Sequence, residues 1–101
     1  MGWWKRNNEE GGPRLGHLLF EFYTRQGCHL CDDALIRLRH AQARHHFQIR
    51  IIDVDADPEL QARHGNWVPV VVLEGRVRFK GAINRVLLDR LLLAETRRLP
   101  S

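Results

Sequence analysis

The spacing of hydrophobic and polar positions changes several times along this chain, and each change predicts a new secondary-structure element. Leu18 to Tyr23 (LLFEFY) is short, apolar and aromatic, which predicts a β-strand. After a break at residues 24–27, apolar positions recur at helical spacing to about Ala43, while charged residues fill the other face. Gln48 to Val54 (QIRIIDV) then predicts a second strand.

The second half of the chain predicts a short helix followed by a hairpin. Asp57 is a suitable cap and Pro58 a suitable first-turn residue for a helix over 58–64 that ends at Gly65. Two further strands, Val68–Leu73 and Arg76–Lys80, are joined by a Glu74-Gly75 turn.

The last predicted element is a helix over Ile83–Thr96. Its expected buried stripe is Leu87, Leu88, Leu91 and Leu92, and its expected outer residues are Arg85, Asp89, Arg90 and Glu95. The element order is therefore β-α-β-α-β-β-α. Since the first βαβ unit requires parallel strands and the hairpin antiparallel ones, the sequence predicts an α/β fold with one four-stranded mixed sheet flanked by helices.

The length of 101 residues fits one domain. Residues 1–16, with Gly-Gly-Pro and Asn-Asn, are expected to be a flexible leader, residues 17–98 the domain and residues 99–101 a tail. Trp3 and Trp4 in the leader either dock on the domain or a partner, or belong to no functional site. No apolar run approaches the ~20 residues that span a bilayer, and Met1–Gly16 lacks the apolar core of a secretory signal. We therefore expect a cytoplasmic protein with no membrane partner.

The charge balance is basic, with a formal net charge of +4. This balance either favours an acidic partner or only reflects a solvated surface. The basic residues form no dense block, and aromatic residues are not interleaved with them apart from Trp3 and Trp4. We therefore predict no nucleic-acid partner.

The candidate chemistry lies in Cys28-His29-Leu30-Cys31, between the first strand and the first helix. A thiol there faces unpaired backbone N–H groups and the positive end of the helix dipole, which both stabilise the nucleophilic thiolate. The two-residue spacing allows a second thiol to resolve a mixed disulfide. Cys28, nearer the exposed tip, is the predicted nucleophile and Cys31 the predicted resolving thiol. The alternative is that both cysteines are simply small buried residues.

The segment from Phe22-Tyr23-Thr24 to Cys31 resembles the strand and active-site turn of glutaredoxin-like proteins of the thioredoxin fold, and most resembles a small bacterial group with C-H-L-C-[DE]. Val68-Pro69 resembles the Val-Pro element of that family, and Gly81-Ala82 resembles the glycine element before its last helix. The resemblance covers about residues 18–96.

This resemblance implies a thiol-disulfide oxidoreductase or electron carrier that reduces disulfides of protein or small thiol substrates. It also implies a cis bond before Pro69, which lies beside the dithiol, and a substrate strand that pairs with the backbone of Val68. Gly81 is a further substrate-binding residue that the resemblance implies. Trp67 is a candidate because it precedes Val-Pro, although many relatives carry Thr or a small polar residue at that position. A reductase or glutathione is the implied electron source, and no metal or organic cofactor is needed.

Glutathione binding in typical glutaredoxins uses a basic residue before the motif, a Gly-Gly pair and a later acidic residue. Here Arg25 can fill the first role, but Ala82 replaces the second glycine and Asn84 stands near the acidic position. These departures count against glutathione as reductant or co-substrate, and another reductant is the alternative.

Several residues near the motif have two interpretations. His29 either favours the Cys28 thiolate when charged or is an exposed loop residue. Asp32 either transfers protons for Cys31 or stabilises the helix N-terminus. Trp67 either shapes a substrate groove or packs against the domain. Glu21 either is a buried proton acceptor or faces outward and pairs with an arginine.

Two other functions compete with redox catalysis. One is a peptide-binding module that uses the Val-Pro groove without turnover. The other is a zinc site of Cys28, Cys31, His40 and His45, but about nine helical residues, or ~13 Å of rise, separate Cys31 from His40. We therefore predict no metal ligands.

Overall fold

The computed structural model describes residues 15–99. Residues 1–14, with Trp3 and Trp4, and residues 100–101 lie outside the described part, so the predictions made for them stay predictions. The elements in chain order are β1 (Leu19–Thr24), α1 (His29–His45), β2 (Gln48–Asp53), a short 3-10 helix (Val54–Ala56), α2 (Pro58–His64), β3 (Val70–Leu73), β4 (Arg76–Lys80) and α3 (Arg85–Arg97).

The four strands form one mixed sheet in the order β2-β1-β3-β4. β1 and β2 are parallel, whereas β1 with β3 and β3 with β4 are antiparallel. Tyr23 near the end of β1 lies opposite Val70 at the start of β3, which in turn lies opposite Lys80 at the end of β4. This register brings three chain segments together at one end of the sheet. They are the segments that follow β1, precede β3 and follow β4.

The main core lies between one face of the sheet and the helices α1 and α3. Phe20 and Phe22 of β1 point to this face and are fully buried, because side chains alternate along a strand. The Phe20 ring packs against Phe47, with ring centroids 4.6 Å apart. The helices and the other strands contribute Ala34, Leu38, Ala41, Val71, Leu73, Phe79, Leu88, Leu91 and Leu92.

The opposite face of the sheet carries α2. Tyr23 points to this face, and its ring lies 4.5 Å from the ring of His64 at the end of α2. Glu21 is on the same face and lies 3.9 Å from the guanidinium of Arg50, which agrees with the second interpretation of this carboxylate. Helices thus flank both faces, and the predicted α/β class with a four-stranded mixed sheet is confirmed. Within residues 15–99, no helix is both long and apolar enough to span a bilayer.

Two side chains of α3 differ from the prediction. Leu87 was expected in the core but is 51% exposed, and Glu95 was expected outside but is 7% exposed. Residues at intervals of three and four from Leu88 share its face, so Glu95 continues the stripe of Leu91 and Leu92 while Leu87 lies about 100° to the side. The buried carboxylate of Glu95 remains paired because it accepts a hydrogen bond from Arg98 at 3.1 Å.

Several element boundaries also differ, each for a local reason. β3 begins at Val70 rather than Val68, because Val68-Pro69 forms a cis peptide bond outside the sheet ladder. α3 begins at Arg85 rather than Ile83, because Asn84 caps it. Val54 was assigned to the second strand but starts the 3-10 helix.

The packed part of the chain extends beyond residues 17–98, the predicted bounds of the domain, at both ends. Leu15, assigned to the leader, is fully buried and donates its N–H to the carbonyl of His45 at 2.8 Å. Leu99, assigned to the tail, packs against the core. Both leucines bury apolar surface that the polar composition of the flanking segments concealed.

Candidate redox site

Cys28 and Cys31 are joined in a disulfide at the N-terminus of α1, with their Cα atoms 5.1 Å apart. Cys28 is the N-cap residue, with extended backbone (φ −95°, ψ 102°), and its Sγ accepts a hydrogen bond from the N–H of Cys31 at 3.1 Å. Gly27 has a φ of 76°, a left-handed conformation that glycine adopts without steric cost. The turn therefore positions the sulfur of Cys28 over the free N–H groups that begin the helix.

The two sulfurs differ in exposure. Cys31 is 2% exposed and lies one turn into α1, whereas Cys28 is only half-buried at the tip of the turn. An incoming disulfide can therefore reach Cys28 more easily than Cys31. Which of the two thiols attacks first stays a prediction.

His29 and Asp32, the two predicted modulating residues, are both exposed beside the disulfide. The backbone N–H of Asp32 donates to the carbonyl of Cys28 at 3.1 Å, which makes it part of the first helical turn. A carboxylate there interacts favourably with the positive end of the helix dipole. Within residues 15–99, neither side chain takes part in an ion pair.

The Val68-Pro69 cis bond lies at the same edge as the dithiol, because Val70 of β3 pairs with Tyr23 of β1. Pro69 is fully buried, and half-buried Val68 packs against the same core cluster as Cys28. The N–H of Gly81 donates to the carbonyls of Trp67 at 3.1 Å and Pro69 at 2.9 Å. These bonds attach the cis-proline loop, residues 65–69, to the end of β4.

Arg25 was predicted to bind substrate, and the structure places it in an internal network. Its guanidinium donates to both carboxylate oxygens of Asp55, at 2.6 and 3.2 Å, and to the carbonyl of Gly65 at 2.9 Å. Gln61 also donates to Asp55 at 2.9 Å. The hydrogen bonds from Arg25, and to a smaller extent from Gln61, lower the pKa of Asp55. The hydrogen bond to Asp55 and the charge of that carboxylate raise the pKa of Arg25. Arg25 thereby links the turn before Cys28 to the cis-proline loop.

Trp67 and Leu30 form an exposed apolar rim at this edge. Their side chains are 57% and 56% exposed, so Trp67 is not enclosed by the domain, and its role in a substrate groove stays a prediction. The ammonium of Lys80 lies 5.5 Å from the centroid of the indole ring, which is within the range of a cation–π interaction. A shallow pocket of about 200 Å³ lies beside Leu30 and is lined by Asp33, Ala34, Arg37, Ala82 and Ile83.

His64 is a site neighbour that sequence reasoning missed. It is buried against Tyr23, and its carbonyl accepts the N–H of Trp67 at 2.9 Å. Burial lowers the pKa of His64, and the positive charges of Arg63 and Lys80 lower it further. Asp55 and Lys80 were missed as well. Only contacts between distant segments reveal these three residues, since none belongs to a motif.

The structure does not bring the four proposed zinc ligands together. Within residues 15–99, no group of three or more His, Cys, Asp or Glu residues is close enough to hold a metal ion. His40 lies further along α1, where it lines a groove with Arg44 and Asp89.

Comparison with protein families gives a match over residues 19–93 to the Glutaredoxin-like domain (DUF836). Among solved structures, the structural-genomics target XcR50 from X. campestris is 30% identical; the match covers 74% of this chain and 96% of that one, with a TM-score of 0.63. Protein Ne2328 from Nitrosomonas europaea is 24% identical over 73% of this chain and 89% of that one, with a TM-score of 0.65.

A mutant thioredoxin from Halobacterium salinarum NRC-1 is 18% identical over 89% of this chain and 96% of that one, with a TM-score of 0.62, which shows the shared fold. No curated protein matches the chain. The family match spans the disulfide, the cis-proline loop and most of α3, and it agrees with the resemblance that the sequence predicted. The chain therefore belongs to the glutaredoxin-like domain family and has the thioredoxin fold.

Proposed function

We propose that this protein is a thiol-disulfide oxidoreductase or electron carrier that works through Cys28 and Cys31. The observation that carries the proposal is the half-buried Cys28 sulfur at the N-cap of α1, bonded to the buried Cys31. The N–H of Cys31 already donates to this sulfur, and the same donor would stabilise a Cys28 thiolate. A buried structural disulfide would not need this placement.

The proposed reaction has two exchange steps. In the first, the Cys28 thiolate attacks one sulfur of a substrate disulfide, so that a Cys28–substrate disulfide forms and the other substrate sulfur leaves as a thiolate. In the second, the Cys31 thiolate attacks the Cys28 sulfur, which releases the second substrate thiolate and forms the Cys28–Cys31 disulfide. The substrate gains two electrons, and the protein dithiol loses them.

The substrate is proposed to bind along the cis-proline loop. The carbonyls on either side of Val68 accept the N–H of Gly81, while within residues 15–99 the N–H and C=O of Val68 make no hydrogen bond to another backbone group. This arrangement supports strand-like pairing of Val68 with a substrate backbone, which requires no particular substrate side chain. Trp67 and Leu30 would cover apolar parts of the bound segment.

The electron source is proposed to be a reductase or a small thiol such as glutathione, acting in the cytoplasm, where thiols are kept reduced. Because Asp55 and the carbonyl of Gly65 occupy the guanidinium of Arg25, its contribution to substrate binding is proposed to be indirect, through the position of the cis-proline loop. A glutathione carboxylate would have to displace Asp55 from Arg25. We therefore propose a polypeptide substrate rather than glutathione. The proposed reaction uses neither a metal nor an organic cofactor.

A redox titration of the wild-type protein tests this function. The protein is equilibrated in glutathione or dithiothreitol buffers of graded potential, alkylated, and weighed by mass spectrometry. We expect one reversible two-electron transition within or near the range of about −270 to −120 mV found for this fold. If the pair stayed oxidised or reduced throughout, the peptide-binding module would replace the oxidoreductase as the best explanation.

A further inference from the structure

A second surface lies between β4 and α3. None of the residues that line it belongs to the disulfide or to the cis-proline loop. It is a groove of about 340 Å³ lined by Arg78, Phe79, Leu87, Arg90, Leu91 and Ala94. Leu87 is 51% exposed, although it is a large apolar side chain on a helix whose other leucines are mostly buried. We call this surface the β4–α3 groove. Its volume is near the lower end of the ~300–1,000 Å³ of ligand pockets and suits one or two side chains.

The two charged residues of the groove are arginines. Arg78 and Arg90 are exposed, and in the described part of the chain neither forms an ion pair. The groove itself contains no carboxylate among the described residues that line it. Its walls therefore combine an apolar floor with two cationic groups that are free to contact an anionic partner.

The basic charge of the protein is concentrated in this part of the chain. Residues 74–99 contain seven Lys or Arg and only three Asp or Glu. Residues 15–73 contain six Lys or Arg and seven Asp or Glu. Asp89 and Glu95, two of the three acidic residues, are paired with Arg44 and Arg98. The β4–α3 unit therefore carries a net positive charge, while the dithiol and α2 belong to a segment that is close to neutral.

Protection of the sheet edge explains only part of this arrangement. β4 is an edge strand, Arg78 occupies a bulge opposite β3, and charged residues and bulges both discourage strand addition at an edge. That role does not account for Arg90 or for the exposed Leu87, which lie on α3. The groove, rather than the free strand edge, is therefore the feature that needs a partner.

We propose that the β4–α3 groove binds an acidic polypeptide segment that inserts an apolar side chain over Phe79 and Leu91, with its carboxylates on Arg78 and Arg90. Charge complementarity selects the acidic character, and the apolar floor between the arginines selects the inserted side chain. The interaction does not require the cysteines. A partner held here is available to the oxidised or reduced protein alike.

The test uses fluorescein-labelled hexapeptides without cysteine and measures binding by fluorescence anisotropy. The acidic peptide has the sequence EELFEE, the basic counterpart KKLFKK, and the acidic peptide without apolar side chains EESSEE. All measurements are repeated on the C28S/C31S protein, so that binding and redox activity fail or succeed separately. We expect EELFEE to bind both proteins better than either other peptide, and its affinity to fall at higher salt.

Variants then locate the binding. R78Q/R90Q should weaken EELFEE binding by about ten-fold or more, and L87S should weaken it as well. The matched control is R39Q/R63Q, which removes the same net charge from exposed arginines of α1 and α2 and should change the affinity little. Amide chemical shifts of Phe79, Leu87 and Leu91 should change on titration of the isotope-labelled protein.

Four results would overturn the proposal. The first is that EELFEE does not bind, and the second is that KKLFKK binds as tightly as EELFEE. The third is that R39Q/R63Q weakens EELFEE binding as much as R78Q/R90Q does. The fourth is that a short DNA duplex or phosphatidylglycerol vesicles bind in a way that depends on Arg78 and Arg90, while EELFEE binding does not depend on them. The last result would assign the groove to a nucleic acid or a lipid surface instead of an acidic polypeptide.

Discussion

The N-termini of α1 and α3 lie at the same end of the sheet, where β1 and β4 finish, and they differ in the atom that caps them. At α3, the side-chain oxygen of Asn84 accepts the N–H of Leu87 at 3.0 Å, which is an ordinary N-cap. At α1, the Sγ of Cys28 occupies the corresponding position and accepts the N–H of Cys31 at 3.1 Å. Arg37 of α1 donates to the carbonyl of Ile83 at 2.7 Å, which joins α1 to the segment just before α3.

The comparison shows how one local geometry can serve stability or chemistry. Oxygen is the stronger acceptor, so Asn84 satisfies one of the free N–H groups of its helix, that of Leu87. Sulfur is a weak acceptor as a thiol, but the same N–H groups stabilise it as a thiolate and so favour nucleophilic attack. The cap of α1 is thus suited to reactivity, and the cap of α3 to holding the helix in place. Substitutions of Cys28, Cys31 and Asn84 each alter one of these two helix N-termini, whereas the smallest expected effect concerns a buried histidine elsewhere.

The largest effect is expected for Cys28→Ser. Disulfide reductase activity should fall by at least roughly 10³-fold, because a serine hydroxyl at neutral pH is a far weaker nucleophile than a thiolate. Helix α1 should nevertheless form, because serine is a preferred N-cap residue. Activity is measured by insulin reduction, and folding by circular dichroism. Full activity in the folded variant would show that Cys28 is not the nucleophile.

Cys31→Ser should separate the two exchange steps. The attack by Cys28 should persist, while turnover with a protein disulfide should stop at the mixed disulfide, because the resolving thiol is absent. Mass spectrometry should detect protein plus substrate, and dithiothreitol should reverse the adduct. The absence of any adduct under conditions in which the wild type turns over would contradict the assignment of the two roles.

Asn84→Ala should affect stability and leave the redox midpoint unchanged. Loss of the cap is expected to lower the free energy of unfolding by about 1 kcal/mol, which corresponds to a Tm decrease of roughly 4–8 °C for a domain of this size. Asn84→Ser is the matched control and should retain most of the stability, because serine also caps. Thermal melts of the reduced proteins give the Tm. A shifted midpoint in the redox titration would mean that the cap of α3 also tunes the dithiol.

The smallest effect concerns His64 and the pH dependence of stability. Because burial lowers the pKa of His64 in the folded protein, the unfolded chain binds a proton at higher pH than the folded one. The free energy of unfolding should therefore decrease as the pH falls below about 6.5, the unperturbed pKa of histidine. His64→Gln should make this decrease shallower, as measured by urea titrations between about pH 7 and pH 5.

The slope should not vanish in His64→Gln, because burial also lowers the pKa of His45. His45→Gln is the matched variant, since it removes a second partly buried histidine that is far from the cis-proline loop. It should also flatten the pH dependence. A steeper slope in His64→Gln than in the wild type would contradict the sign that burial gives to this residue.

The sequence predicted the strands, the helices and the position of the dithiol well, because local patterns encode them. The short, apolar and aromatic composition of Leu18–Tyr23 predicted a strand, and the structure places Phe20 and Phe22 on one face of it and Glu21 and Tyr23 on the other. The errors in α3 have a different origin. A run of leucines allows several buried stripes, and only the positions of β4 and α1 decide that Glu95 rather than Leu87 faces inward.

By itself, the sequence determined the order of the elements, the mixed sheet and the placement of Cys28 and Cys31 at a strand-to-helix turn, because periodicity, caps and breakers act over a few residues. The tertiary structure alone decided what joins distant segments. It paired Arg25 with Asp55 and Gly65, packed His64 against Tyr23, and brought Arg78 and Arg90 to one groove. Such contacts depend on strand order and helix packing, which arise from burial across the whole chain and leave no signature at any single position.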